Sequence, residues 1–465
     1  MSSSHGRQDD VGAGGKRTIS QEAFDELVKE NMDDLGMDST EALEDALLTL
    51  SLQGVDLSGI VKVVPGEGAS KDDPVFQFIN RLKFSSEELN NGGATALFCE
   101  LFDYLASSPT ATPIAVKNGG IELLWSACLK LQLPLDNEAV GSGLKVLALL
   151  LYDLNGTEKF RLLDGPETVV QLLKDGIDCV KIVDGCFSVV AAAATGNEVV
   201  KELFMNLQIG EYILAVLNRT ASESIIAMYD AIRVLLTPDD DRVVASQVYG
   251  YARRFAEIGI AEALVRSLNT GLAYANLASA TIALKAVAVN DEICKSIAQS
   301  GGVDIILDCI DGSCKQGNGK LAKTCCSLLS KLAGSDSNKI AIVEKGRLNR
   351  LIQLANEFSG DATVLSEVMS LLAVVCLRSS DNARRVLEAG AGDLAIEAME
   401  KFPSSPQVQR SSCLLIRNLV VRNPENRNQL LDRDVEKLIR KSKENHPSCR
   451  EAASDALRDL GLHYK

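Results

Sequence analysis

The sequence predicts an all-α solenoid: about eight three-helix units in a row, behind a short N-terminal helical extension. Three observations carry this prediction. A phrase with a polar start, an amphipathic turn, a glycine and an apolar stretch returns every 42 to 49 residues. A denser apolar segment separates each copy from the next, and alternating strand patterns with hairpin dipeptides are not evident. Compare "SDSNKIAIVEKGRLNRLIQLA" from Ser335, "SSDNARRVLEAGAGDLAIEAM" from Ser379 and "PENRNQLLDRDVEKLIRKS" from Pro424. An all-helical period in the forties signals a stack of repeats in which each module covers the next.

Aligning the phrase puts its corner at Gly119, Gly165, Gly210, Gly259, Gly301, Gly346, Gly390 and, degenerately, Arg433. A short helix followed at a sharp angle by a longer one needs positive φ where the first ends, which glycine adopts without a Cβ clash. Each unit then closes with a third segment, such as "CFSVVAAAAT", "TCCSLLSKLA" or "EVMSLLAVVC", apolar nearly all round. Such a helix is covered on both flanks by its neighbours. Two-helix repeats of similar length are the alternative.

In chain order, residues 1–18 are Gly/Ser-rich and polar and are expected to be a disordered tail. They lack an apolar segment, so no secretory leader is expected. In 19–62, Ser20 is placed to cap a helix whose Phe24, Leu27, Val28 and Met32 share one stripe, and "STEALEDALLTLSL" makes a second helix. "VPGEGASKDDP" makes 63–73 a linker. The array runs over 74–465. The 49-residue step holds about ten extra residues, an insertion near 238–258 with Asp239, Asp240, Asp241, Tyr249 and Tyr251 as candidate contacts. Inserted loops on a rigid scaffold favour binding, with a lengthened helix as the alternative. The last segment, 446–465, puts Arg450, Glu451, Asp455, Arg458 and Asp459 where other units are greasy, as a terminal cap facing water should.

Three helices around a glycine corner is the armadillo pattern, and "CLLIRNLVVRNPEN" at 413–426 matches its consensus. The chain as a whole resembles the armadillo repeat-containing protein 6 family. "ISQEAFDELVKEN" at 19–31, "SLQGVDLSGIVK" at 51–62, "AIRVLLTPDDDRV" at 231–243 and "DALRDLG" at 455–461 carry the likeness. The resemblance implies an armadillo-type right-handed superhelix that serves as a protein-interaction scaffold.

Composition narrows the chemistry. The net charge is −15, which argues against nucleic acid as the main partner. Charge is uneven: residues 1–80 carry 6 Lys and Arg against 16 Asp and Glu, whereas 401–465 carry 13 against 8. Twelve cysteines are scattered without a CxxC and sit in apolar runs, which suits packing in a reducing compartment, cytoplasm or nucleus. No apolar stretch reaches the roughly 18 residues of a membrane span. The three histidines are His5, His446 and His463, so the body of the array has none for triad catalysis or zinc. "GAGGKRT" at 12–18 has Arg17 where a phosphate loop needs Ser or Thr. No catalytic, cofactor or metal residue is assigned, and no enzyme activity is expected.

A binding surface remains. Third helices line an extended groove, and their comparable positions here are Asp230, Arg233, Lys285, Lys331, Arg417 and Asn418. These form a sparse basic ladder for an acidic extended segment, from a partner protein or peptide or from this chain's own acidic head. A transport adaptor for basic cargo is the alternative. It needs Trp-x-x-x-Asn pairs on third helices, but Leu414 precedes Asn418 by four and Trp125 follows a corner glycine.

Overall fold

A computed structural model describes residues 17–62, 64, 74–84, 93–219, 225–239, 245–269, 274–344 and 346–462. The expected tail at 1–16 and most of the expected linker lie outside them. Arg17 and Thr18, counted with the tail in the sequence reading, form a two-residue strand that pairs in parallel with Val55–Asp56. Apart from this pair the described chain is helices and connections. It divides into two compact units, Met1–Leu207 and Gln208–Lys465.

The first unit opens with a small helical module, α1 (Gln21–Asp33) and α2 (Ser39–Leu52). Ser20 accepts from the Ala23 amide at 3.2 Å, and Asp38 caps α2 through Thr40 and Glu41. Phe24, Val28, Ala42, Ala46, Leu50 and Ile60 form its core, with Leu27 and Met32 packed at the edge. Gln21 clasps the end of the module, accepting from the Val61 amide at 2.7 Å and donating to its carbonyl at 3.0 Å. Beyond it come α3 (Pro74–Phe84), α4 (Gly93–Ser107), α5 (Ala111–Lys117), α6 (Gly120–Lys130), α7 (Asn137–Leu150), α8 (Leu154–Leu162), α9 (Gly165–Asp175), α10 (Val180–Ala194) and α11 (Glu198–Asn206). Helix α7 packs between α4 and α10, and α10 buries Ile182, Val183, Cys186, Phe187, Val189 and Val190.

The second unit repeats the pattern. It runs α12 (Ile209–Arg219), α13 (Ile226–Leu235), α14 (Ala245–Glu257), α15 (Ile260–Leu268), α16 (Tyr274–Val287), α17 (Asp291–Gln299), α18 (Gly302–Gln316), α19 (Gly319–Leu332), α20 (Asp336–Val343) and α21 (Arg347–Glu357). It continues with α22 (Ala362–Cys376), α23 (Ser380–Glu388), α24 (Ala391–Lys401), α25 (Pro406–Val420), α26 (Pro424–Leu431), α27 (Val435–Asn445) and α28 (Arg450–Asp459). The third helices α13, α16, α19, α22, α25 and α28 pack successively on one another, as do the second helices from α12 to α27. This is the mutual covering that apolar third segments require.

The repeated phrase contains a device that hydrophobic patterning does not expose. Asn338, Asn382 and Asn426 occupy one position in three successive units, and all are buried. Each donates its side-chain amide to a carbonyl in the last turn of the preceding third helix: Leu332 at 3.0 Å, Val375 at 3.1 Å and Leu419 at 2.8 Å. Helix ends leave such carbonyls without an intrahelical donor. The asparagine therefore ties one repeat to the next while satisfying a buried acceptor.

Five corners carry the expected positive-φ glycine: Gly119, Gly259, Gly301, Gly346 and Gly390. The other three differ. Positive φ falls on Asp164 (51°), Gln208 (57°) and Asp434 (55°), not on Gly165, Gly210 or Arg433. Gly165 and Gly210 are instead packing positions. A Cβ on Gly165 would lie 2.3 Å from Phe160 Cε2, and one on Gly210 would lie 3.1 Å from Phe255 Cε1. At Gly165 the ring comes from the preceding first helix, α8; at Gly210 it comes from α14, the first helix of the next repeat, with Ile258 Cδ1 nearer still at 3.0 Å.

Candidate functional site

In the second unit each third helix leaves one stripe uncovered, at the i, i+3, i+4, i+7 spacing of a helix face. On α16 the stripe is Ile282, Lys285 and then Val289; on α19 it is Lys320, Lys323, Ser327 and Lys331. On α22 it is Thr363, Glu367, Ser370, Val374 and then Leu377; on α25 it is Gln407, Arg410, Leu414, Arg417 and then Val421. Contacts between neighbouring third helices fix the register of the stripes. Lys285 Nζ donates to Ser327 Oγ at 2.6 Å, Ser370 and Ser411 hydroxyls lie 3.1 Å apart, and Asn418 Nδ2 donates to the Ala373 carbonyl at 2.8 Å.

The face is basic in a chain that is acidic overall. From α13 to α25 its cations are Arg233, Lys285, Lys320, Lys323, Lys331, Arg410 and Arg417, against the carboxylates of Asp230 and Glu367. Among the described residues Lys331 and Arg410 make no ion pair. Leu377 and Val421 are 43% and 46% exposed. They follow the ends of neighbouring third helices; the stripe of α22 holds no cation and lies between the cationic stripe of α19 and the mixed stripe of α25.

The six residues singled out from sequence all lie on third helices of this unit, but they do not form a single free ladder. Asp230 and Arg233 face each other at 3.5 Å, one turn apart. Arg417 is held by Asp455 at 3.2 Å and Asp459 at 3.3 Å. Asn418 is occupied by the Ala373 carbonyl. Lys285 and Lys331 remain as exposed cations on adjacent helices. Sequence reasoning missed Lys320, Lys323 and Arg410, although repeated steps of three or four residues back from Lys331 and Arg417 reach them. The terminal cap also departs from expectation: Arg450 and Glu451 are exposed, but Asp455 and Asp459 turn inward to Arg417.

Of the insertion, Ala245–Glu257 forms a lengthened first helix, α14. Asp240 and Asp241 lie outside the described residues, and Asp239 ends the described segment before them. Tyr249 is 49% exposed. Tyr251 is buried and its hydroxyl accepts from Gln247 Nε2 at 2.9 Å, so it is a packing residue and not a free contact.

The N-terminal module is docked within the first unit through its closing loop. Asp56 pairs with Lys117, and Asn118 Nδ2 donates to the Gly59 carbonyl at 3.3 Å. The Lys117 ammonium pulls the Asp56 carboxyl down to about 2. This contact answers in part whether the acidic head docks: it engages the α5–α6 corner. Nine cysteines are buried, and burial pushes Cys128 and Cys413 up to about 12 and Cys186, Cys326 and Cys376 higher still. Trp125 is 3% exposed and meets Phe160 edge-on at 5.5 Å, so it is core and not a peptide-stacking surface. His446 bonds the Pro403 carbonyl at 2.8 Å, and His463 lies outside the described residues. Among the described residues no helix is long and apolar enough to cross a membrane, and no three His, Cys, Asp or Glu side chains converge as a metal site.

Comparison with known proteins agrees with this architecture. Residues 16–77 match the family model described as the armadillo repeat-containing protein 6 N-terminal domain. Human armadillo repeat-containing protein 6 is 26% identical over 386 residues, covering 79% of this chain and 75% of the relative. The Drosophila melanogaster homolog is 24% identical over 389 residues, covering 80% of each. Among solved structures an engineered protein superposes with a TM-score of 0.67 at 18% identity, covering 94% of this chain and 98% of the other. A chain from a study of the interaction between cadherin and beta-catenin gives 0.60 at 15% identity, covering 94% and 80%. The structural likenesses show the fold, an armadillo-type repeat. The chain resembles armadillo repeat-containing protein 6 over about four fifths of its length.

Proposed function

We propose that this chain is a non-enzymatic scaffold, and that the third-helix face of its second unit holds an extended, acidic and partly apolar segment of a partner protein. One observation carries the reading: the cations of α19 and α25 flank α22, whose stripe ends in the half-buried Val374 and the exposed Leu377. An exposed ion pair contributes only about 0–1 kcal/mol. Burying a Leu or Val side chain contributes about 1.5–3 kcal/mol. Val374, Leu377, Leu414 and Val421 therefore supply the stabilising area, while Lys285, Lys331 and Arg410 select for carboxylates and set direction. The twelve cysteines, none in a disulfide, support a reducing setting, cytoplasm or nucleus. A transport adaptor for basic cargo gains nothing from this surface, because the face repels cations and Trp125 is buried.

The test uses the full chain with Lys285→Glu and Lys331→Glu together, titrated against a fluorescein-labelled peptide of alternating Glu and Leu. The expected result is at least tenfold weaker binding, with partners lost in parallel from affinity capture. Unchanged affinity together with an unchanged partner set would sink the groove reading.

A further inference from the structure

Helix α2 carries large apolar side chains on its outside as well as on its inside. Its inner stripe is Ala42, Ala46 and Leu50, all buried. Its outer stripe is Glu41, Glu44, Leu48 and Leu52, with Leu48 59% and Leu52 80% exposed. At 100° per residue these four positions fall within one narrow arc, about 16 Å long at 1.5 Å per residue. Large leucines one turn apart in water, on the side away from the core that Ala42, Ala46, Leu50 and the partly buried Leu43 and Leu47 pack into, are unusual for a solvent-facing stripe.

Among the described residues, nothing in the way the module is held uses this stripe. The strand pair, the Gln21–Val61 clasp, the Asp56–Lys117 pair and the Asn118–Gly59 bond all engage the module's ends and closing loop. The surroundings are strongly acidic: residues 17–62 hold 3 Lys and Arg against 11 Asp and Glu. We propose that the outer stripe of α2 receives a basic amphipathic helix of a partner protein. Two features choose that occupant. Carboxylates at the start of the stripe and leucines at its end match a helix with cations on one turn and apolar side chains on the next. The surrounding negative charge repels phosphates, anionic lipid and acidic segments alike. This surface is independent of the third-helix face and opposite to it in charge, so the protein holds two docking surfaces for partners of opposite sign.

The test titrates the full chain with a fluorescein-labelled 18-residue helical peptide of Lys and Leu in amphipathic order. Leu48→Ser with Leu52→Ser should weaken binding at least tenfold. Glu41→Gln with Glu44→Gln should weaken it about threefold and flatten its salt dependence. Both pairs are exposed, and far-UV circular dichroism should be unchanged. Hydrogen exchange should show protection by the peptide confined to 39–52. Lys285→Glu with Lys331→Glu should leave this binding intact, which separates the two readings. Undiminished binding in the leucine pair overturns the proposal. So does equal binding of a scrambled Lys/Leu peptide, which would reduce it to net charge. Sedimentation showing a wild-type dimer that the leucine pair dissolves would overturn it in favour of a second copy.

Discussion

Adding one methyl group at Gly165 should destabilise the first unit, and the cause should be an aromatic ring and not a dihedral angle. A Cβ there would sit 2.3, 2.4 and 2.5 Å from three atoms of the Phe160 ring, where unstrained carbons rest about 3.5–4.0 Å apart. Phe160 cannot swing away, being wholly buried and edge-on to Trp125. Overpacking of this kind costs about 1–3 kcal/mol. The preceding residue, Asp164, holds the positive φ of 51°, so Asp164→Gly should be neutral or stabilising by up to about 1 kcal/mol. Trp125 is the sole tryptophan and lies 5.5 Å from Phe160, so its fluorescence follows unfolding of this very repeat in a denaturant titration. The cycle is completed by Phe160→Leu, alone and with Gly165→Ala. A smaller side chain should relieve the clash, giving a favourable coupling of about 1–2 kcal/mol. Equal penalties for Gly165→Ala in both backgrounds would show that the corner and not the ring sets the cost.

Further outcomes follow from other parts of the fold. Leu415→Ala, at a wholly buried position of α25, should cost about 2–5 kcal/mol by urea denaturation. Gly346→Val should cost about 1–2 kcal/mol for backbone strain alone, because a Cβ there meets no neighbour within 4 Å while φ is +75°. The Asp56–Lys117 pair should weaken only in acid. A depressed carboxyl contributes stability above its unfolded value near 4 and loses it as the pH falls through its folded value near 2. Hydrogen exchange in the module should therefore be flat from pH 7 to 5 once corrected for intrinsic rate. It should rise between about 4 and 2, and Asp56→Asn should cost about 1 kcal/mol at neutral pH, given partial solvent screening. Brief alkylation of the native protein should mark Cys99, the one exposed thiol, well before any of the nine buried ones.

The architecture was legible because the solenoid is written in a period that survives drift in individual residues. Dense third segments such as "EVMSLLAVVC" announce burial on both flanks, and α22 buries Val368, Leu371, Leu372 and Val375. Corners were legible only as far as glycine marks positive φ. Asp164, Gln208 and Asp434 take that conformation with side chains, and Gly165 and Gly210 stand nearby for a different reason, contact with an aromatic. The binding face was half legible. Charge at Lys285 and Lys331 could be read directly, but pairing across helices could not, so the sequestration of Arg417 and Asn418 stayed hidden. A lone Asn in a repeated phrase says nothing about the distant carbonyl it satisfies. The outer leucines of α2 looked like ordinary members of a hydrophobic run, because a helical stripe does not say which side the neighbour takes.

The hold of Asp455 and Asp459 on Arg417 has a consequence for any guest. The last helix already presents two carboxylates to the final rung, so the protein contains its own imitation of the ligand that face would attract. A visitor entering from that end would compete with a tethered rival, whereas one that stops at Arg410 would find its seat vacant. Freeing Arg417 by shortening those two side chains would lengthen the usable track by one step without adding a single new cation.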